Sequence, residues 1–274
     1  MTTRPPKRLT PARASSSRPS STPPPPRFAE ERQHAIAQLL KDDGRVEVAA
    51  LAAQYGVSED SIRRDLRALA DRGLVQKTHG GAIALQLGAL PMARRADVKA
   101  AAKNAIAAAA AAKVQPHQSL FIDSGTTALA LARALCAQGA PRPLTVLTAS
   151  LDVAVLFAEQ PQVALRLAGG AWSSDTRSFG GDAALAELQR WRADWAFLGA
   201  CAVHPRLGLS ASEPDDALLK RAMLAGAAQR VLLADASKFD RVQPHAVAGL
   251  DQLDLAISDA APKWLRDAVK VERV

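Results

Sequence analysis

The sequence SLFIDSGTTALALARAL, residues 119–135, decides the fold of the larger part of this chain. A short apolar run, SLFID, leads into a small polar loop, and a helical pattern follows the loop. The loop offers backbone N–H groups and the hydroxyls of Ser124, Thr126 and Thr127 to an anion, most simply a phosphate. The stretch therefore predicts a strand, an anion-binding loop and a helix in succession.

Helix and strand patterns alternate on both sides of this unit, from about Lys99 to the C-terminus. A helical pattern passes through Ile106 before the quoted stretch, and LTVLTAS, DVAVLFAEQ and ALRLAGG follow it as strand, helix and strand. The alternation continues through ADWAFLGACAV, DDALLKRAMLAGA, RVLLADASKF and LDLAISDAAP. It predicts an α/β domain with a largely parallel sheet and helices on both faces.

The region before this domain has a different organisation. Residues 28–72 contain three short helical patterns, of which the first two end at Gly44 and Gly56. The third opens at Ser58, a good N-cap residue, and carries one apolar stripe formed by Ile62, Leu66 and Leu69. The next stretch, LVQKTHGGAIAL, predicts a hairpin around two glycines. Three helices followed by a hairpin predict a winged helix-turn-helix.

The outer side of the third helix is rich in arginine. At 100° per residue, Arg64 and Arg67 point away from the apolar stripe and Arg63 lies on its flank. Guanidinium groups so placed can reach guanine edges or phosphates in a major groove. The predicted DNA-binding residues are Ser58, Ser61, Arg63, Arg64, Arg67, Lys77, Thr78 and His79.

A solvated face is the alternative interpretation, in which Asp60, Asp65 and Asp71 neutralise these arginines. Residues 28–88 hold eight basic and nine acidic side chains, so charge alone does not indicate DNA binding. The net charge of +8 arises mostly from residues 1–27, which carry six basic and no acidic side chains. This Pro/Ser-rich leader is predicted to be disordered, either as a solvated segment or as an arm that touches phosphates.

Membrane and metal sites are not indicated by the sequence. No apolar run is long enough to cross a bilayer, and the N-terminus lacks the apolar segment of a secretory signal. Cys136 and Cys201 are far apart and the five histidines are scattered, so neither metal-ligand spacing nor a disulfide is expected. We expect reduced thiols, no cofactor and a cytoplasmic location, associated with the nucleoid when the protein binds DNA.

The stretch GRVEVAALAAQYGVSEDSIRRDLRALADRGLVQKTHGGA, residues 44–82, resembles the winged helix-turn-helix of the DeoR family of bacterial transcriptional regulators. Val57-Ser58, the IRRDL segment that starts at Ile62, and the HGGA segment occur in the family's order and spacing. Glu47 stands where the family usually has a Ser or Thr cap, which predicts a weaker cap on the second helix. The resemblance extends from about Phe28 to the C-terminus.

The same resemblance implies that the larger domain is similar to sugar-phosphate isomerases, notably ribose phosphate isomerase. DSGTT matches their phosphate loop, AGG would line the same crevice, and LLKRAM and ADASKFDR supply lysines that balance a phosphate dianion. The LLKRAM segment is expected at the start of a helix. The predicted effector-binding residues are Asp123, Ser124, Gly125, Thr126, Thr127, Gly169, Gly170, Lys220 and Lys238.

Two departures from the family bear on whether the domain catalyses or senses. The isomerases carry an acid in a Gly-Ala-Asp segment, whereas this chain has Gly199-Ala200-Cys201. An aldose–ketose isomerase needs a carboxylate to move a proton between carbons, so its replacement by a thiol favours a sensor. Cys201 itself is predicted to be a small apolar core residue. Ala149 replaces a common Asn and so removes an amide from the expected pocket.

Together these observations predict a DeoR-type regulator, not an enzyme, that represses genes of sugar or related carbon metabolism. Its partners would be a double-stranded DNA operator and a phosphorylated sugar or related metabolite, and it would form a homodimer or homotetramer. The predicted domains are a leader (1–27), a winged helix-turn-helix (28–85), a linker (86–98) and an effector-binding domain (99–274). Two alternatives are an isomerase-like enzyme with an accessory DNA-binding domain and a protein that coats DNA without sequence preference.

Overall fold

The computed structural model describes residues 28–43, 45–71, 75–78, 80–84, 92–137 and 139–274. The chain divides into two compact units, residues 1–85 and residues 86–274. The predicted leader lies outside the described residues. Among the residues that are described, no helix is both long enough and apolar enough to cross a membrane.

The first unit contains three helices and a small sheet within its described part. Its elements are α1 (Ala29–Asp43), β1 (Arg45–Glu47), α2 (Val48–Tyr55), α3 (Glu59–Asp71), β2 (Val75–Thr78) and β3 (Gly81–Ala84). The strands are antiparallel in the order β1-β3-β2. The predicted helices and hairpin are therefore present, and the strand β1 is an addition that three residues were too short to reveal.

The core of the first unit is formed by the apolar stripes of its helices. Ile62, Leu66 and Leu69 of α3 are all at most 1% exposed, which confirms the predicted stripe. They pack in one cluster with residues of α1 and α2, including Leu40 and Leu51. Burial of such stripes, rather than helix propensity, stabilises helices of this length.

The helix ends follow the capping chemistry of the sequence. Ser58 precedes α3, and its Oγ accepts a hydrogen bond from the Ser61 N–H at 3.2 Å. Glu47 precedes α2 without a side-chain cap, as predicted, and the Val48 N–H instead donates to the Gly80 carbonyl at 2.9 Å. Gly81 pairs with Glu47 so closely that a Cβ on this glycine would lie 2.0 Å from the Val46 carbonyl oxygen.

The second unit is an α/β domain. Its helices are α4 (Met92–Asp97), α5 (Ala100–Ala111), α6 (Thr126–Cys136), α7 (Leu151–Phe157), α8 (Gly181–Gln189), α9 (Pro214–Gly226) and α10 (Lys263–Ala268). Its strands are β4 (Ser119–Ile122), β5 (Leu144–Thr148), β6 (Val163–Leu167), β7 (Ala171–Ser173), β8 (Ser178–Gly180), β9 (Ala193–Gly199), β10 (Ala202–His204), β11 (Gly208–Ala211), β12 (Ala227–Leu233), β13 (His245–Ala248), β14 (Leu255–Ser258) and β15 (Val271–Arg273).

The central sheet of this unit is parallel throughout. Within the described residues it has seven strands in the order β15-β14-β12-β9-β4-β5-β6, and every neighbouring pair is parallel. Leu120 and Ile122 of β4 pack in one cluster with α5, α6 and α7. Phe121, between them, packs in the other cluster with α8, α9 and α10. Helices therefore cover both faces, as the sequence predicts.

Several elements were not predicted from the sequence. They are the hairpin β7–β8, the antiparallel sheet β10-β11-β13, the helices α8 and α10, and the edge strand β15. The range 86–98, predicted as a linker, contains the helix α4. The added strands have three or four residues each, and so short a segment carries too little alternation to be recognised.

Candidate DNA-binding face and effector pocket

The outer face of α3 carries three exposed arginines in different electrostatic states. The guanidinium of Arg63 pairs with Glu59 at 2.6 Å and with Asp60 at 3.1 Å. Arg64 and Arg67 are exposed, and no ion pair involves either of them in the described part of the chain. Two cations on this face are therefore available to an anionic partner without first breaking a contact.

The solvated-face alternative was wrong about Asp65. Asp65 is only 3% exposed and turns inward, where its Oδ2 accepts from Arg32 Nε at 2.6 Å and its Oδ1 accepts from Gln33 Nε2 at 3.0 Å. Its charge joins α3 to α1 instead of neutralising the outer arginines. Periodicity allowed this placement, because Asp65 lies next to Leu66 and close to the apolar stripe.

The other predicted DNA-binding residues lie around the same helix and the hairpin. The hydroxyls of Ser58 and Ser61 lie 3.0 Å apart at the start of α3, where they form a hydrogen bond with each other. Lys77 and Thr78 are exposed at the end of β2. His79 lies outside the described residues.

The second unit has a pocket beyond the carboxyl ends of β4 and β9. Its lining residues come from the loop after β4, the β7–β8 turn, the end of β9, α9, the turn after β12, and α4. They are Arg95, Ser124, Gly125, Thr126, Thr127, Thr176, Gly199, Ala200, Cys201, Asp216, Lys220 and Lys238. Ligands of parallel α/β sheets bind at this edge, because the loops there are free to carry functional groups.

The loop of residues 124–127 combines a helix N-terminus with three hydroxyls. Gly125 precedes α6 with φ +107, a conformation that favours glycine. A Cβ on Gly125 would have no neighbour within 4 Å, so the residue is required for its backbone conformation and not for close packing. Thr126 and Thr127 form the first turn of α6, where unpaired N–H groups and the helix dipole favour an anion.

A buried ion cluster adjoins the pocket, and two of its members, Asp216 and Lys220, belong to the lining. Lys220 is 4% exposed; its Nζ lies 2.9 Å from Asp123 Oδ2 and also pairs with Asp216. The Gly199 N–H donates to Asp123 at 2.9 Å. Burial raises the pKa of Asp123 to about 6, while the Lys220 ammonium opposes that change. Burial alone would lower the pKa of Lys220, but the two carboxylates outweigh it and raise that pKa.

This cluster changes the expected role of Lys220. The residue lies in the middle of α9 and not at its start, because α9 begins at Pro214. Two carboxylates already surround its ammonium, so the cluster carries a net charge of −1. Lys220 therefore cannot by itself balance a phosphate dianion.

Lys238 is another cation that lines the pocket. It ends a short 3₁₀ turn after β12, and no ion pair involves it among the described residues. Burial lowers the pKa of Lys238, Asp235 opposes this effect, and Arg95 lowers the pKa further. A cation that is costly to bury and is repelled by another cation gains most from a bound anion.

Two other predicted effector residues, Gly169 and Gly170, are exposed after β6 and do not belong to the pocket lining. Gly170 has φ +146, and a Cβ there would lie 2.3 Å from the Gly180 carbonyl oxygen, so close backbone packing explains this glycine. Ala149 was expected at the pocket but is 2% exposed in the core.

The prediction that Cys201 is a core residue was wrong. Cys201 is half-buried and lines the pocket, and its Sγ lies 4.0 Å from Asp216 Oδ2. The β9 strand ends at Gly199, so the chain leaves the sheet before Cys201 and exposes it at the crevice.

Among the described residues, no group of three or more His, Cys, Asp or Glu could hold a metal ion.

The predicted effector-binding set omits six of the residues that line the pocket, namely Arg95, Thr176, Gly199, Ala200, Cys201 and Asp216. Arg95 lies in the segment predicted as a linker, and Thr176 lies in the unpredicted β7–β8 turn. Their pocket positions depend on contacts over long chain separations, such as the 2.9 Å hydrogen bond from Arg95 Nη2 to the Asp175 carbonyl. Asp216 lies one turn before Lys220 on α9, a spacing that predicts an ion pair and could have been recognised.

Comparisons with known proteins address both units. The DeoR-like helix-turn-helix domain matches residues 32–86, and the DeoR C terminal sensor domain matches residues 98–260. The second match alone spans more than half of the chain.

Similar full-length proteins carry the names of regulators. The HTH-type transcriptional regulator GlpR of Haloferax volcanii is 34% identical over 84% of this chain and 89% of its own length. The transcriptional repressor AccR of Agrobacterium fabrum is 28% identical over 88% of this chain and 93% of its own length. These names support the regulator interpretation and not the isomerase alternative.

Among solved structures, ribose 5 phosphate isomerase A from Neisseria gonorrhoeae is 18% identical, with a TM-score of 0.37 over 50% of this chain and 52% of that chain. This likeness is too weak to support an inference. The helix-turn-helix unit, the sensor-domain match and the GlpR relative agree with one another, and this chain belongs to the DeoR family of transcriptional regulators.

Proposed function

We propose that this protein is a repressor whose operator affinity is set by a phosphorylated sugar or a related metabolite. The effector would bind in the pocket at the carboxyl edge of the parallel sheet. This proposal rests on one observation, which is that the 124–127 loop and Lys238 line the same pocket. Names of relatives, such as the transcriptional repressor GlcR of Bacillus subtilis, favour repression over activation.

On the DNA side, we propose that α3 enters the major groove and that Arg64 and Arg67 supply the strongest contacts. Both side chains are exposed and without an ion pair within the described residues, whereas Arg63 must first leave Glu59 and Asp60. Further contacts, to the DNA backbone and from the β2–β3 hairpin, would come from Ser58, Ser61, Lys77, Thr78 and His79.

On the effector side, the phosphate would accept hydrogen bonds from the first turn of α6 and from the hydroxyls of Ser124, Thr126 and Thr127. Lys238 would supply the balancing charge. Lys220 would act through its buried cluster, by holding Asp123 and Asp216 in place below the ligand. The remaining predicted residues, Gly169 and Gly170, would not contact the effector. Gly170 would instead allow the close backbone packing against Gly180.

The assembly would be a homodimer or homotetramer acting in the cytoplasm. An oligomer presents two recognition helices to adjacent half-sites, which raises affinity and lets a ligand change their spacing. The effector would regulate binding only if its affinity differs between the arrangement that binds DNA and the one that does not.

The DNA-binding test begins with a random-sequence duplex pool, from which the full chain selects its preferred site. We expect Arg64→Ala to weaken binding of the selected duplex by about 1–3 kcal/mol, or roughly 5- to 150-fold. Arg63→Ala should cost less, because Arg63 already has two carboxylate partners. Arg206→Ala, an exposed arginine in the turn between β10 and β11, serves as the control. Equal affinity of Arg64→Ala and wild type would contradict the proposed interface.

The effector test is a thermal-shift screen of pentose and hexose phosphates on the full chain. A compound that binds only the folded state raises the melting temperature. A compound that does so should also change the affinity for the selected duplex, and Lys238→Met should remove both effects. If none of the compounds that raise the melting temperature changes the affinity for the duplex, the sensor function is rejected.

A further inference from the structure

The helix α4 contributes a cation to the effector pocket from an unexpected position in the chain. Arg95 lines the pocket together with Lys238 and the 124–127 loop. The same helix is the first described element of the second unit, and residues 85–91 connect it along the chain to the DNA-binding unit. One side chain of the first described helix of the second unit therefore lies where the effector would bind.

Two attachments hold α4 in this place. In the first, Arg95 Nη2 donates to the Asp175 carbonyl at 2.9 Å. In the second, the Lys103 ammonium, which is 5% exposed on α5, donates to the carbonyls of Arg95 and Val98. Lys99 immediately precedes α5 with φ +58, in the left-handed region.

Three cations, Lys103, Lys238 and Arg95, interact around α4. Burial lowers the pKa of Lys103 to about 8, Asp235 opposes that change, and Lys238 and Arg95 lower the pKa further. Asp235 also faces Lys238, Arg241 faces Lys238 as a further cation, and Asp97 faces Lys103 from α4 itself. An anion between Arg95 and Lys238 would replace their mutual repulsion with attraction to a shared partner.

We propose that Arg95 contacts the anionic group of the effector, so that effector binding fixes α4 in its pocket-lining position. The effector gains affinity from α4 in its pocket-lining position, and by reciprocity α4 is stabilised in that position when the effector is bound. The inference rests on the proposed phosphate site, and it adds α4 as a helix whose position responds to the effector.

Hydrogen–deuterium exchange of the full chain, with and without inorganic phosphate, tests this proposal. In wild type, phosphate should slow exchange both in residues 124–129 and in residues 92–99. In Arg95→Gln, phosphate should still protect residues 124–129, with binding weakened about tenfold, as expected for the loss of one charge-assisted hydrogen bond. Residues 92–99 should then show no protection. Arg206→Gln, which lies outside the pocket lining, should behave like wild type.

The outcomes separate the two levels of the proposal. Protection of residues 124–129 without any protection of residues 92–99 in wild type would overturn the role of α4 and leave the phosphate site standing. Protection of neither segment would overturn both. Arg95→Lys guards against a folding defect: it keeps the charge, so phosphate should protect residues 92–99 at least partly if charge attraction transmits binding. Complete loss of that protection in a folded Arg95→Lys variant would reject the electrostatic mechanism.

Discussion

Replacing Asp65 by Asn should destabilise the DNA-binding unit through a contact on the inner side of α3. Asp65 belongs to the helix that we propose enters the major groove, but its carboxylate pairs with Arg32 of α1 at 2.6 Å. The side chains of Arg32 and Asp65 are 10% and 4% exposed, so water screens this pair poorly. Asn keeps the size of the side chain and can still accept from Gln33, while the charge that balances Arg32 is lost.

The expected cost follows from the burial of both partners. Removing one partner of a buried ion pair typically costs about 3–5 kcal/mol, because the remaining charge is left without compensation. A small domain has a total stability of about 5–15 kcal/mol, so the loss is a large part of it. Asp60→Asn, on the exposed side of the same helix, removes a surface contact with Arg63 and should cost less than about 1 kcal/mol.

Hydrogen–deuterium exchange of peptides from α1 and α3 measures this stability within the full chain. A cost of about 3 kcal/mol corresponds to an increase in exchange on the order of 100-fold. The double variant Arg32→Met with Asp65→Leu should recover most of the protection, because a packed apolar pair replaces the ion pair without a stranded charge. An increase in α3 exchange of less than about threefold for Asp65→Asn would refute the reasoning.

Three further predictions concern the second unit, whose four tryptophans make fluorescence a specific probe of its unfolding by urea. Because burial lowers the pKa of Lys103 from 10.5 to about 8, the unfolded chain binds more protons between these pH values. Wild type should therefore gain stability relative to Lys103→Met as the pH rises from about 8 to 10, by at most about 1.4 kcal/mol per pH unit; a constant difference would contradict this. Lys220→Met should cost about 3–5 kcal/mol, because it leaves buried carboxylates unpaired. Adding Asp123→Asn to Lys220→Met should restore part of the loss, and equal stability of the single and the double variant would count against the cluster. Ser150→Ala should cost about 1 kcal/mol, because the Ser150 hydroxyl caps α7 by accepting from the Val153 N–H, and an unchanged urea midpoint would argue against that cap.

Local patterns in the sequence determined the main elements and the fold class. The stripe of Ile62, Leu66 and Leu69 and the cap at Ser58 act within one or two helical turns, so the sequence alone identifies α3 and its outer arginines. The alternation of strands and helices likewise fixed the parallel α/β domain and the loop at residues 124–127. These signals act between residues that are close together in the sequence.

Only the tertiary structure decided the states of individual charges. Lys220 and Asp123 are 97 residues apart in the sequence, and Arg95 and Asp175 are 80 apart, yet each pair is in hydrogen-bond contact. Asp65 was recognisable as part of a helix, but its partner on α1 was not. Whether a lysine, aspartate or arginine is free for a ligand depends on which distant groups the fold brings within about 4 Å of it, and that distance is set by packing.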